Sequence, residues 1–360
     1  MGIVAGDTVT QYEERRYDRL SGKLALRTAN RDEHDRWRAE ATAKLVELIG
    51  LDTMLDAPLE PRITEEIDNG DHIRQRVEIQ TEPGIIMPVY VLVPKAGRPP
   101  YPAVIAAHGH GGGGKVAVAG DRSIREVDLA IQRYNYDYGL QFARAGLIAF
   151  CPDARGMGER QHPSDNFDIM GCECMFIQGK ALGLGQTITG MWTWDNMRLT
   201  DYIETRPDCR RGGVGCAGLS GGGIQTLYLS ALDQRVSCAV LSGYLWGIRG
   251  SLLQYLCCSC NFIPHLWEYM DMGDIAALIA PRPLLVESGI NDPLNGVGGI
   301  GNATSQVELA RRAYRLLDAN DMIKQDIFEE GHMWHGVEAI PWMRRHLDSD
   351  TRPPTVVRAT

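Results

Sequence analysis

The stretch Val214-Gly215-Cys216-Ala217-Gly218-Leu219-Ser220-Gly221-Gly222-Gly223 constrains this chain more than any other. An apolar, strand-like run passes into a helix-like one through a serine flanked by glycines. A sharp strand-to-helix turn needs that pattern, because side chains two positions either side of the serine would collide. Such a turn lifts the Ser220 hydroxyl above the sheet, where it can serve as a nucleophile. The pentapeptide alone is a weak signal, and a glycine-rich helix start with a capping serine is its bland alternative. The strand before it and the helix after it give it weight.

The flanking chain repeats the same alternation. Short buried strands are expected at Pro102 to Ala107, Leu147 to Cys151, Gly213 to Gly218, Val236 to Leu241, Pro283 to Glu287 and Lys324 to Phe328. Helices are expected at Tyr138 to Ala145, Trp192 to Thr205, Gly222 to Leu232, Val307 to Leu317 and Val337 to Leu347. Apolar strands alternating with helices imply an α/β fold, with a mostly parallel sheet covered on both faces. An antiparallel pair, His72 to Gln80 with Ile85 to Val93, precedes it. Residues 1 to about 70 read as an N-terminal helical extension. Within it Trp37, Ala41, Leu45 and Leu48 lie at helical spacing, and Gly50 is a stop signal. The main domain then spans 71–350. Leu245 to Ala276 interrupts the alternation with Trp246, Tyr255, Trp267 and Tyr269, and reads as an insertion forming a cap on a pocket or a dimer contact.

A serine nucleophile requires a base, and the base requires an acid that fixes its tautomer. With this elbow the chain order is serine, acid, histidine. Asp292 stands in the turn after the strand ending at Glu287, and His332 follows Glu329-Glu330-Gly331 after the next strand. Both follow C-terminal strand ends, where such sheets gather ligands. Glu287 is the rival acid, but it sits in the strand end itself. His335 is the rival base, placed where the closing helix should begin.

His108-Gly109-His110-Gly111-Gly112-Gly113-Gly114-Lys115-Val116 supports two readings. In one, the backbone N–H of His110 joins that of Gly221 as an oxyanion hole. In the other, Gly109 to Lys115 is a phosphate-binding loop, but Val116 replaces the Ser or Thr that would hold Mg²⁺, and the following residues do not begin like a helix. The first reading is preferred, which leaves Lys115 without a role, solvated or ion-paired.

Composition sets outer limits. The chain has 360 residues and a net charge of -9, with an isoelectric point near 5.5. That balance disfavours nucleic acid as a partner. No apolar run approaches the roughly 18 residues of a membrane span, and the charged N-terminus lacks an export signal, so a cytoplasmic protein is expected. The nine cysteines are an odd number, and Cys151, Cys216 and Cys238 lie in strand-like runs, favouring reduced thiols over disulfides. Cys172-x-Cys174 and Cys257-Cys258-x-Cys260 lack the paired spacing of zinc sites, so neither metal nor cofactor is expected.

Taken together, several motifs resemble the dienelactone-hydrolase-like branch of the α/β-hydrolases, specifically its acetyl-xylan-esterase-like members. They are His108 to Gly112, Asp153-Ala154-Arg155-Gly156-Met157-Gly158-Glu159-Arg160, Trp194-Asp195 with Arg198 and Asp201-Tyr202, and Gly218 to Gly223. Ser242-Gly243-Tyr244, Asp274-Ile275-Ala276, Ala280-Pro281-Arg282-Pro283, Asp292 and Gly331-His332 complete the set. The resemblance covers roughly residues 70 to 350. It implies Ser220, Asp292 and His332 as a triad, the N–H groups of His110 and Gly221 as the oxyanion hole, and a structural turn at Asp153 to Gly156. Dienelactone hydrolases proper carry cysteine where this chain has Ser220, which points to ordinary ester chemistry. The expected activity is hydrolysis of short acyl esters of a small molecule. A peptidase or amidase, a nucleotide-binding protein and a non-catalytic scaffold are the alternatives, and homo-oligomerisation is left open.

Overall fold

The computed structural model describes residues 8–162, 167–255 and 257–348. Nine strands form one sheet: β1 (Arg62–Asp68), β2 (His72–Glu82), β3 (Ile85–Pro94), β4 (Ala103–Ala107), β5 (Ile148–Pro152), β6 (Val214–Leu219), β7 (Val236–Ser242), β8 (Leu284–Gly289) and β9 (Ile323–Phe328). Their order is β1-β2-β3-β5-β4-β6-β7-β8-β9. From β5 to β9 every neighbouring pair is parallel, while β1, β2 and β3 run antiparallel to their neighbours. The central strands β4, β5, β6 and β8 are buried along their whole length, as a sheet covered on both faces requires.

One face is covered by helices Gly221–Leu232 and Ile300–Leu316, with helix Arg31–Ile49 packed onto them, and their Leu227, Val307 and Leu45 share a core with Leu241 and Val286 of the sheet. Helices Arg125–Tyr134, Tyr138–Arg144 and Ala339–Asp348 cover the other, placing Ile131, Phe142 and Met343 against Val104 and Val240. Helix Ile188–Thr205 packs Leu199 and Ile203 against Val89, Ile105 and Cys216. No helix among the described residues is long and apolar enough to cross a membrane.

Two expectations need correction. The N-terminal extension is not wholly helical, because β1 lies within it and extends the sheet edge. Nor is it a separate layer: Trp37, Ala41, Leu45 and Ile49 of helix Arg31–Ile49 are buried in the common core. The helix does end at Gly50, which takes a left-handed conformation at φ 68°. A Cβ there would also lie 2.4 Å from the Gly185 carbonyl oxygen. The expected insertion forms short helical turns, and it packs inward rather than only capping a pocket. Leu245, Trp246, Ile248 and Leu266 belong to the core, and the carbonyls of Glu268 and Tyr269 accept the N–H groups of Lys23 and Leu24.

Candidate active site

Ser220 ends β6 and precedes helix Gly221–Leu232, with φ 60° and ψ -116°. A non-glycine residue with positive φ is strained, and that strain aims the side chain away from the sheet. Its neighbours show why glycine is required. A Cβ on Gly222 would stand 1.9 Å from the Ala107 carbonyl oxygen, and one on Gly218 would stand 2.5 Å from the Gly222 carbonyl. The Ser220 N–H donates to the Ser242 carbonyl at 2.9 Å, locking the elbow to the end of β7. The N-terminus of the following helix places unpaired backbone N–H groups, and the positive end of its dipole, beneath the serine.

Asp292 and His332 reach the same rim from the turns after β8 and β9. The His332 Nδ1 lies 2.7 Å from Asp292 Oδ2. The aspartate side chain is 1% exposed and the histidine 20% exposed, so the pair is buried on the acid side and open on the other. The second Asp292 oxygen accepts the Leu294 N–H at 2.8 Å, which fixes the carboxylate in its turn. The imidazole packs against Gly243, where a Cβ would meet its Cε1 and Nδ1 at 3.1 Å. Gly243 directly follows the residue that accepts the Ser220 N–H, so the elbow and the imidazole both pack against the end of β7. Among the described residues no hydrogen bond yet joins the Ser220 hydroxyl to His332. Such bonds are commonly loose before substrate binds.

The rivals lie elsewhere. Glu287 is buried at the end of β8 and accepts the N–H groups of His335 at 3.2 Å and Gly336 at 2.8 Å. Burial pushes its carboxyl up to about 7. His335 pairs with Asp326 at 2.7 Å and stacks on Phe328. It does not begin the closing helix, which starts at Ala339.

The glycine run after β4 wraps the elbow. A Cβ on Gly109 would lie 2.8 Å from the Gly221 nitrogen, so only glycine lets these two backbones approach. Buried side chains pin the run. Tyr136 accepts the Gly109 N–H at 2.6 Å, and Gln225 donates to the His108 carbonyl at 2.7 Å. The His108 Nε2 accepts the Ala154 N–H at 3.0 Å while Nδ1 faces the Gly109 carbonyl at 2.9 Å, and burial lowers its pKa. It is therefore the neutral, Nδ1-protonated tautomer.

A five-residue helix, Gly114–Val118, begins within the run itself and ends at Val118, so no longer helix starts directly after it. Lys115, however, is buried and paired with Asp153 at 2.6 Å and with Glu159. Its ammonium is committed inward and does not face a ligand. Asp153 also accepts the N–H groups of Lys115 at 2.8 Å and Glu159 at 3.0 Å, and Arg155 pairs with Asp195 and Glu82. Asp153 to Gly156 is thus a structural turn, as read.

The cysteines depart from the linear reading. His110, Cys174, Cys258 and Cys260 each offer a ligand atom, all within 4.8 Å of one another. Spacing along the chain could not reveal this set, because its members come from three separate segments. The Cys-x-Cys and Cys-Cys-x-Cys pairs were the available signal, and neither alone has the spacing of a zinc site. A second group, Glu287, Asp326 and His335, has its donors engaged in the contacts already described.

The fold is similar to that of a "putative acetyl xylan esterase" from Bacteroides fragilis NCTC 9343, with a TM-score of 0.78, 17% identity, and coverage of 96% of this chain and 97% of that one. It is also similar to a glucuronoyl esterase from Solibacter usitatus, with a TM-score of 0.65, 16% identity and coverage of 91% and 97%. Among curated sequences, the "Putative hydrolase YtaP" of Bacillus subtilis (strain 168) is 24% identical over 272 residues, 72% of this chain and 83% of the relative. A family model matches residues 18–251, a span holding both the glycine run and the Ser220 elbow, and by that match the chain belongs to the Abhydrolase family.

Proposed function

We propose that the chain is a serine carboxylic ester hydrolase that works through an acyl-enzyme. The observation that carries this reading is the Asp292–His332 hydrogen bond, whose imidazole packs on Gly243 next to the residue that binds the N–H of the strained Ser220. Asp292 holds the imidazole with its proton on Nδ1, leaving Nε2 free to take the Ser220 proton as Oγ attacks the acyl carbon. The negative charge on the acyl oxygen is met by the N–H groups of His110 and Gly221, a reading supported by the close approach of Gly109 to the Gly221 nitrogen. The imidazolium returns its proton to the leaving alcohol, and a water activated by the same base releases the acid.

The preferred substrate is a small-molecule ester with a short acyl group such as acetyl, in keeping with the resemblance to acetyl-xylan-esterase-like proteins. Nucleotide binding is disfavoured because Lys115 is sequestered by Asp153 and Glu159. The test pairs a fluorophosphonate probe with rates on nitrophenyl esters of rising chain length and on matching amides. Ser220 should be the labelled residue, acetate and propionate esters the fastest substrates, and Ser220→Ala should lower kcat by roughly 10⁴-fold or more. An unlabelled Ser220 in folded protein sinks the mechanism, and faster cleavage of amides sinks the esterase assignment.

A further inference from the structure

We infer that His110, Cys174, Cys258 and Cys260 form a binding site for one thiophilic divalent cation of the zinc class. The His110 Nε2 stands 3.4 Å from Cys174 Sγ and 3.6 Å from Cys260 Sγ. Zinc–sulfur bonds of about 2.3 Å and zinc–nitrogen bonds of about 2.0 Å at tetrahedral angles require an N···S edge of roughly 3.6 Å. Two such edges meet at one imidazole nitrogen. A disulfide would join only two of the sulfurs, and would leave that nitrogen facing sulfur with no acceptor to satisfy it.

The surroundings are those of a built site. Cys174 and Cys260 are buried. Cys174 is the first residue of helix Cys174–Gly183, where the helix dipole favours a thiolate. The Asn261 side-chain amide donates toward Cys260 Sγ at 3.6 Å, and the Thr189 hydroxyl fixes the Cys260 carbonyl at 2.7 Å. Outer contacts of this sort orient metal ligands. Three thiols lose their protons when the cation binds, and the neutral imidazole completes the shell with a net charge of -1. Four protein ligands leave no position for substrate, so the cation is structural rather than a Lewis acid for the reaction.

Its location gives it a task. A Cβ on Gly221 would lie 2.8 Å from His110 Nδ1, so the ligand ring sits directly over the residue after the nucleophile. The cation therefore ties the insertion and helix Cys174–Gly183 to the glycine run whose His110 N–H is the proposed oxyanion donor. Only this consequence for catalysis rests on the proposed esterase function.

The test is metal analysis of the full chain purified without chelators, followed by exchange with cobalt(II). The expected result is about one equivalent of zinc, and on exchange the visible bands of tetrahedral cobalt thiolate. Cys258→Ser and Cys260→Ser should each lose the metal, while Cys257→Ser should keep it. Stripping the cation from the wild type should reduce ester hydrolysis, and added zinc should restore it. The inference is overturned if reduced wild-type protein dialysed against zinc stays far below stoichiometric, if the intact mass shows a disulfide among these cysteines, or if an iron–sulfur chromophore is found. Metal content is read independently of turnover. Stoichiometric zinc in an inactive protein would sink the esterase reading alone, and an active protein that takes up no zinc would sink this inference alone.

Discussion

Asp292 and Glu287 are only five residues apart, yet the fold gives them opposite surroundings. Asp292 lies in a turn, with one oxygen on the Leu294 N–H and the other on His332. Glu287 points back under the segment before the closing helix and caps the amides of His335 and Gly336. If Asp292 sets the tautomer of His332, Asp292→Asn should keep the fold and lower kcat on a nitrophenyl ester by about 10³- to 10⁴-fold. Glu287→Gln should leave kcat close to wild type. Reversed results would transfer the acid role to Glu287. The contact between Asp292 and His332 was legible because both residues stand in turns that follow neighbouring parallel strands. The Ser220 elbow was legible from its glycines, since backbone contacts forbid any Cβ at Gly218 and Gly222. The cation ligands were not legible as a set. Nothing in the spacing of Cys174 and Cys258 reveals that an insertion folds back onto the glycine run.

The parallel strands and their helices could be read from the sequence because burial on both faces leaves unbroken apolar runs. β1 could not. All seven of its residues are exposed, and its sequence carries no alternation. Pairing with β2 places Arg62 against Glu78 and Glu65 near Arg74, so side-chain charges rather than a buried face accompany it. Helix Arg31–Ile49 was legible as a helix, but its depth was not. Its apolar stripe looks like that of any surface helix, whereas Leu45 is wholly buried among residues of the sheet-covering layer. The Trp37 indole N–H also donates to the Leu24 carbonyl, and the Leu26 N–H donates to Asp274 in the insertion. The extension is thus an integral part of the core. Leu45→Ala should cost about 2–5 kcal/mol in chemical denaturation, because the site is enclosed and cannot collapse. A surface helix would give well under 1 kcal/mol for the same change, and that outcome would restore a separate extension.

Across the whole molecule, four carboxylates displaced by their surroundings form two groups with opposite pH dependence. Asp195, held by Arg155 and Arg160, has a lowered pKa despite its burial, and Glu159 is held down at about 2 by Arg76 and Lys115. Stability from these two is present above the ordinary carboxylate range and fades as pH falls toward 2. Burial instead raises Asp274 to about 6 and Glu287 to about 7. For these groups the unfolded chain gives up its proton first. Their contribution is complete below about pH 4 and is lost as pH rises through the folded values. The two slopes oppose each other, so the contribution of these four carboxylates together is greatest near pH 4, between their titration ranges. Glu287 is one of the two groups that set the upper limb. Its shift corresponds to about 3 kcal/mol between pH 4.5 and 7. Glu287→Gln removes that titration while keeping an acceptor for the Gly336 N–H. Unfolding free energies measured from pH 4 to 8 should therefore fall less steeply in the variant than in wild type. Parallel curves for the two proteins would mean that Glu287 is ionised throughout, and its burial beneath His335 and Gly336 would then need a compensating charge.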